Sequence, residues 1–386
     1  MQFSQTPNFE VKNQTWWQRF KSQPHQLFFI SAIFFSILIM SLTSLILSGL
    51  LNLEFSLIHS FGLNYGLFTN AFLGFLITVI PKYNGTSQIK KEKYVLPWIL
   101  FQIAILITIF VSAFIGKIFL ALIMLYFSFI FYKIIKESKA SDKKDSIFLN
   151  AIFIFSALIL IVEAVTSISL SYLIFYGYLL NTVFLVALRM VPMFYFNMMG
   201  GNPWKKPKYI REVAIVLFLL IGISYEFELT QFLKIVSFIS FLFFAYVVFK
   251  LNFYKKAPAI VTIATYSFFW LLLGFAALFV EAFFELLSLK LSLHIFAVGF
   301  ITTLLIGLGS RVSLGHAIPA QPIKADKFTV YLFIFTQVIV LLRAVSSFGF
   351  MANISFFMDL LYISSISWIL LFILWSLRYG KTLLRL

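Results

Sequence analysis

Cysteine is absent from all 386 residues. That excludes disulfides, thiolate zinc sites, cysteine-ligated iron–sulfur clusters and covalent c-type haem attachment. Charge is scarce too, at 11% of residues, where a soluble domain carries roughly 25%. An ordinary soluble domain is excluded on that ground. Acids are scarcer than bases, 14 against 30, which leaves a net charge of +16. This excess does not signal nucleic acid, because the lysines and arginines gather in alternate loops, as they do in membrane proteins. No Walker loop, HExxH, dinucleotide fingerprint or serine elbow occurs in a usable context. Histidine is reduced to four residues: His25, His59, His294 and His316.

What fills the chain is apolar. Hydrophobic residues make up 61%, and phenylalanine alone supplies 51. Stretches of about 20 apolar residues, long enough to cross a ~30 Å hydrocarbon layer, recur from end to end. Twelve spans are predicted, at 27–50, 57–81, 95–115, 118–136, 147–168, 171–194, 212–226, 230–250, 260–282, 290–310, 328–348 and 354–377. Basic residues follow the even-numbered spans, for example Lys90, Lys91 and Lys93 after the second and Lys205, Lys206 and Lys208 after the sixth. Lys117 and Lys290 are isolated exceptions on the other side. The positive-inside rule then places both termini in the cytoplasm of a bacterial inner (plasma) membrane protein. Residues 1–26 read as a cytoplasmic tail without a cleavable signal, 27–377 as one membrane domain and 378–386 as a second cytoplasmic tail. The fold class is all-α, a polytopic bundle of twelve transmembrane helices.

A repeat runs at a spacing of four helices. Spans two, six and ten close in GFLITVIPKYNG (Gly74 to Gly85), ALRMVPMFYFN (Ala187 to Asn197) and GLGSRVSLGHAIP (Gly307 to Pro319). Each brings a basic residue and a proline to the cytoplasmic end. Three four-helix units produce this pattern, and so does the general habit of helices to end in cations and proline.

The histidines mark the ends of spans. His59 and His294 open spans two and ten at matched depth, so two axial imidazoles can meet around one haem iron. Below His59 runs a stripe of small and polar residues, Gly62, Gly66, Asn70, Gly74 and Thr78. It accommodates either a flat macrocycle or a closely packed helix. Arg343, late in span eleven, pairs with Asp359 or holds a haem propionate. His25 and His316, with Arg311 nearby in sequence, form a second site at the cytoplasmic face or serve as caps and headgroup contacts. Glu163, Tyr172, Tyr176, Glu281 and Glu285 share the outer level of His59 and His294. Met190, Met193, Met198 and Met199 offer thioethers to Cu(I) or act as apolar filler.

Three of these segments carry a resemblance to the NnrS family. GFLITVIPKYNG is similar to its GFLLTAVPNWTG-type stretch, and ALRMVPMF to its GRVIPFF-type stretch. HIFAVGFITTLLIGLGSRVSLGH, from His294 to His316, resembles its HAFTVGAMGLMILAVMTRASLGH-type stretch. LLRAVS around Arg343 also fits. The matching positions are Gly66, Gly74, Thr78, Pro81 and Gly85 on span two, Arg189 and Pro192 on span six, and His294, Arg311, Gly315 and His316 on span ten. His59 falls on the first histidine of a WHAHEMLFG-type opening, whose next histidine and glutamate are replaced here by Phe61 and Gly62.

The resemblance implies a haem-binding membrane protein linked to nitric oxide stress. The two replacements remove the ligands a second metal, copper, would need beside His59. Haem–copper oxidase subunit I is similar in plan, with twelve helices in three arcs and histidines on helices two and ten, but this chain lacks histidine on helices six and seven. Two axial imidazoles leave no open iron position, so catalysis is not implied. The expected partners are haem, nitric oxide and the lipid bilayer; no nucleic acid is expected, and a protein partner is unspecified. The rival readings are a secondary transporter of the twelve-helix type and a non-catalytic assembly subunit of a respiratory complex.

Overall fold

The computed structural model describes residues 15–200, 204–286 and 289–385. After a short helix, Trp16–Phe20, twelve helices follow one another: α1 (Pro24–Leu47), α2 (Ser56–Asn84), α3 (Lys91–Phe110), α4 (Ala113–Lys136), α5 (Lys144–Thr166), α6 (Leu173–Met199), α7 (Ile210–Glu226), α8 (Thr230–Leu251), α9 (Ala259–Phe283), α10 (Leu291–Gly315), α11 (Lys327–Met351) and α12 (Phe357–Leu384). Eleven of them are long and apolar enough to cross a membrane. The remaining one, α7, has 17 residues and at about 1.5 Å per residue falls a little short of a ~30 Å core. The protein is a multi-pass helical bundle, as its sequence predicts.

Several boundaries differ from expectation, each for a local reason. Residues 1–14 of the expected N-terminal tail lie outside the described residues, and α1 starts at Pro24 rather than 27. Proline suits the first helical position, and Gln23 and Gln26 cap the turn reciprocally. At the other end α12 runs through most of the expected tail 378–386, because Tyr379 and Leu383 are fully buried and Tyr379 Oη bonds Thr329 Oγ1 at 2.7 Å. Pro81 and Pro192 do not end their helices. The glycines that follow do, Gly85 and Gly200, both at φ 63°, the left-handed turn that other residues adopt at a cost.

Helices α2, α6 and α10 form the centre, with 89%, 78% and 78% of their apolar windows buried. The other helices surround them, and α12 packs against α1 to close the ring. The same three helices share an irregularity that no sequence pattern announces. Each carries a π-helical segment in its first half, over Ser56–Thr69, Leu173–Leu180 and Ile295–Thr302 (the last after one α-helical turn, Leu291–His294), and then tightens to an α-helix. A π-to-α transition leaves carbonyls poorly served by the backbone, and here side chains serve them. Asn70 Nδ2 donates to Gly66 O at 2.8 Å, and Asn181 Nδ2 to Gly177 O at 3.1 Å. Thr69 Oγ1 donates to Asn64 O at 2.7 Å, and Thr302 Oγ1 to Ala297 O at 2.8 Å.

Each transition is flanked by a glycine on which the preceding helix lays an aromatic ring. A Cβ added at Gly66, Gly177 or Gly299 would meet Phe35, Phe155 or Trp270 within 2.9 Å. The third helix of the first and third groups also contributes equivalently: Gln102 of α3 bonds Asn70, and Gln337 of α11 bonds Thr303. These correspondences support three four-helix units.

Asn70 is fully buried and serves both Gly66 and Gln102. Replacing it with leucine strands both partners and is expected to cost about 2 kcal/mol, read as a lower unfolding midpoint in mixed micelles. Val79→Ala, a plain cavity mutation on the same helix, provides the comparison.

Candidate functional site

The four histidines form two pairs, one at each end of α10. Near its start the rings of His59 and His294 lie 6.2 Å apart between centroids, inclined by 35°. Just past its end the rings of His25 and His316 are 4.7 Å apart, inclined by 47°. His25 opens α1 and His59 lies near the start of α2, so the first hairpin presents one imidazole to each end of α10.

The tautomers at the first pair follow from its hydrogen bonds. His294 Nδ1 lies 2.8 Å from the Lys290 carbonyl. A carbonyl only accepts, so Nδ1 carries the proton and Nε2 keeps its lone pair. His59 Nδ1 lies 3.4 Å from Thr43 Oγ1, whose own proton goes to Ile39 O at 2.8 Å. Nδ1 is therefore the donor there too. Both imidazoles are tied to the protein through Nδ1 and keep the Nε2 lone pair available, as metal-binding histidines do when the other ring nitrogen bonds the protein.

Arg343 is buried against this pair. Its Nη2 donates to Leu289 O at 2.8 Å and lies 3.1 Å from Nδ1 and 3.3 Å from Nε2 of His294; its Nη1 bonds Ser347 Oγ at 2.6 Å. The expected pairing with Asp359 is not found among the described residues. Asp359 instead occupies the first turn of α12, where a carboxylate complements the helix dipole.

Gly62 and Gly66 take up helix packing. A Cβ at Gly62 would meet Ile39 at 2.7 Å and one at Gly66 would meet Phe35 at 2.9 Å. The face below His59 is filled by α1. The imidazole donors fit an iron, whereas this stripe leaves no slot for a macrocycle unless α1 moves.

At the other pair His316 Nδ1 donates to Val312 O at 3.0 Å. His25 Nδ1 is buried without a hydrogen-bond partner. Arg311 lies over the Phe194 ring at 4.0 Å, with one nitrogen buried and unpaired. Among the described residues no group of three or more His, Cys, Asp or Glu side chains can hold a metal. The methionines of α6 diverge in environment, Met190 buried but Met193 and Met198 about 40% exposed.

An ion pair and a cation–π contact account for the two basic exceptions of the sequence. Lys117 pairs with buried Glu163 at 3.1 Å, and the Lys290 ammonium lies 4.9 Å from the centre of the Tyr172 ring. One hub was missed. Asp145, buried at the start of α5, accepts from Arg189 at 2.9 Å, Lys206 at 3.2 Å and Arg211 at 2.7 Å. Its only trace in the sequence is an acid placed among Lys143, Lys144 and the basic loop beyond α6.

The chain matches the model of the NnrS family, described as NnrS protein, over residues 19–386. The chain belongs to the NnrS family. No curated protein matches it. Residues in the stretches that resemble NnrS motifs have physical roles here: Arg189 holds Asp145 and lies 3.8 Å from the Tyr83 ring centre, while His294 and His316 bracket α10.

Two measurements test these assignments. Arg343→Leu strips donors from Leu289 O, Ser347 and His294, and a loss of about 2–3 kcal/mol is expected in detergent unfolding. Burial, with Lys82 and Arg385 adding to it, holds His316 below the ordinary histidine range, against the pull of the Val312 carbonyl. A depressed folded value means that the unfolded state takes up the proton first. Stability is thus retained above the unfolded value of about 6.5 and lost as pH falls below it. His316→Gln should flatten that acid limb in thermal melts at pH 5 to 7.

Proposed function

We propose that this NnrS-family protein is a haem-binding integral membrane protein of the nitric oxide response, with His59 and His294 as axial ligands. The observation that carries the reading is the 6.2 Å ring separation combined with Nδ1 anchoring of both imidazoles. Two metal–nitrogen bonds of about 2 Å, plus the distance from each nitrogen to its ring centre, make roughly 6 Å between centroids. When bound, the haem would supply one-electron and gas-binding chemistry. The residues around it have separate tasks. Lys290 O and Thr43 orient the rings. Arg343 donates toward His294 Nε2 in the absence of a metal and offers a guanidinium to a propionate.

Nitric oxide belongs to this reading through the family. Were both His59 and His294 to hold the iron, the chain's own residues would offer a gas no ready access to it. The role is therefore sensing, scavenging or protection in preference to rapid turnover. Family membership and the run of apolar helices support a bacterial inner membrane protein with both termini in the cytoplasm. Copper has weaker support, because Phe61 and Gly62 stand where the family motif has further ligands and each histidine cluster is only a pair.

Purified protein from haem-replete cells should give a Soret band and a positive pyridine haemochrome. His59→Ala and His294→Ala should each lose most of the haem while inserting normally, whereas His316→Ala should retain it. Well-folded wild type without a Soret band removes the proposal.

A further inference from the structure

Beside the His59–His294 pair lies a cavity of about 300 Å³, lined by Tyr172, Tyr176, Tyr225, Thr230, Glu281 and Ser292 among others. That volume is at the lower end of small-molecule sites. Three of its walls are tyrosines in one column: the Tyr172 and Tyr225 rings are 4.8 Å apart at 14°, and those of Tyr225 and Tyr176 are 5.7 Å apart at 8°. The Tyr176 side chain is completely buried; its hydroxyl faces Ser292 but makes no well-formed hydrogen bond among the described residues. Buried hydroxyls are nearly always fully bonded, so this one has capacity left for a ligand.

Charge narrows the class of that ligand. The carboxylates at the cavity are already engaged: Glu285 pairs with Lys234 at 2.7 Å, and Glu281 accepts from the amides of Leu291 and Ser292 at 3.0 and 3.1 Å. Lys290 already provides a cation over Tyr172. A further cation gains little there, and an anion meets two carboxylates. The chain flanking the lining residues is apolar and exposed: Phe227 follows Tyr225 closely, and Phe283 and Phe284 stand between Ala282 and Glu285, at 62%, 53% and 63% exposure. In a membrane protein such a rim faces lipid.

From an aromatic wall, a hydroxyl donor with capacity left beside a carboxylate acceptor, charge balance and a lipid-facing rim, we propose that the cavity binds the head group of a membrane-soluble quinol. A quinol hydroxyl accepts from Tyr176 and donates to Glu281, while its apolar tail leaves over the phenylalanine rim. Ser292 and Leu293 line the cavity and directly precede His294, so the bound head group would neighbour the pair read as haem ligands. Binding itself does not require the haem; only its relevance to electron supply rests on that reading.

The test is titration of the full-length protein in nanodiscs with a decyl-substituted benzoquinol, and separately with choline chloride. Wild type should bind the quinol saturably and leave choline unbound. Tyr176→Phe deletes an oxygen whose one protein neighbour, Ser292, is poorly placed to bond it, so the fold should melt little lower, while quinol affinity falls about tenfold. Ala282→Trp should fill the cavity and abolish binding. His59→Ala and His294→Ala, assayed for haem in parallel, should keep quinol affinity; haem loss with quinol binding intact separates the two readings. No saturable quinol binding, unchanged affinity in Tyr176→Phe or Ala282→Trp, choline binding in its place, or affinity that vanishes with the haem overturns the proposal.

Discussion

Hydrocarbon offers no water to an unbonded backbone carbonyl, so every such group inside a bundle needs an internal partner. The central helices α2, α6 and α10 create that need by running as π-helices in their first halves and tightening midway. Asn70, Asn181, Thr69 and Thr302 meet it with side-chain donors. The wide opening turns also set the direction in which the first residues of α2 and α10 face one another. His59 lies within one such segment, and His294 immediately precedes another. The geometry of the imidazole pair and the hydrogen bonding of the core are thus consequences of the same irregularity.

The two histidine pairs have different surroundings. At the His59–His294 pair each Nδ1 has an acceptor, so a defined tautomer faces the gap. The partner ring of His316, His25, is buried with Nδ1 unpaired. The first pair is held by hydrogen bonds on both rings, the second on one ring only. Arg343 adds a fixed positive charge to the first pair, with the Glu281 carboxylate near enough to offset part of it, since a bare charge is costly in a membrane interior.

Much of this was legible in the sequence. Apolar run length and alternating loop charge located all twelve helices, and matched depth brought His59 and His294 together although they lie far apart in the chain. The stripe of Gly62 and Gly66 was visible, but its occupant was not. A glycine admits a helix or a cofactor alike, and only the placement of Ile39 and Phe35 decides between them. The end of α2 was misjudged at Pro81 because proline is tolerated where a neighbouring turn serves the freed carbonyl. The Asp145 hub was hidden for a different reason. Its partners Arg189, Lys206 and Arg211 read individually as ordinary basic residues of the cytoplasmic side, and their convergence is a property of tertiary structure. The π segments leave no periodic signature, since a window dominated by apolar residues looks alike at either pitch.

The ring closes by joining its first and last helices. The Trp368 indole of α12 bonds Ser36 of α1, and the carbonyls of Leu383 and Leu384 accept from Gln26 and Trp16. A ribosome therefore delivers the mate of α1 only after the ten intervening helices. Until then α1 waits in the bilayer with one flank exposed to lipid or to the insertion machinery. Any nascent chain that stalls before α12 would leave that flank open, so closure of the ring trails the assembly of the helices it encloses.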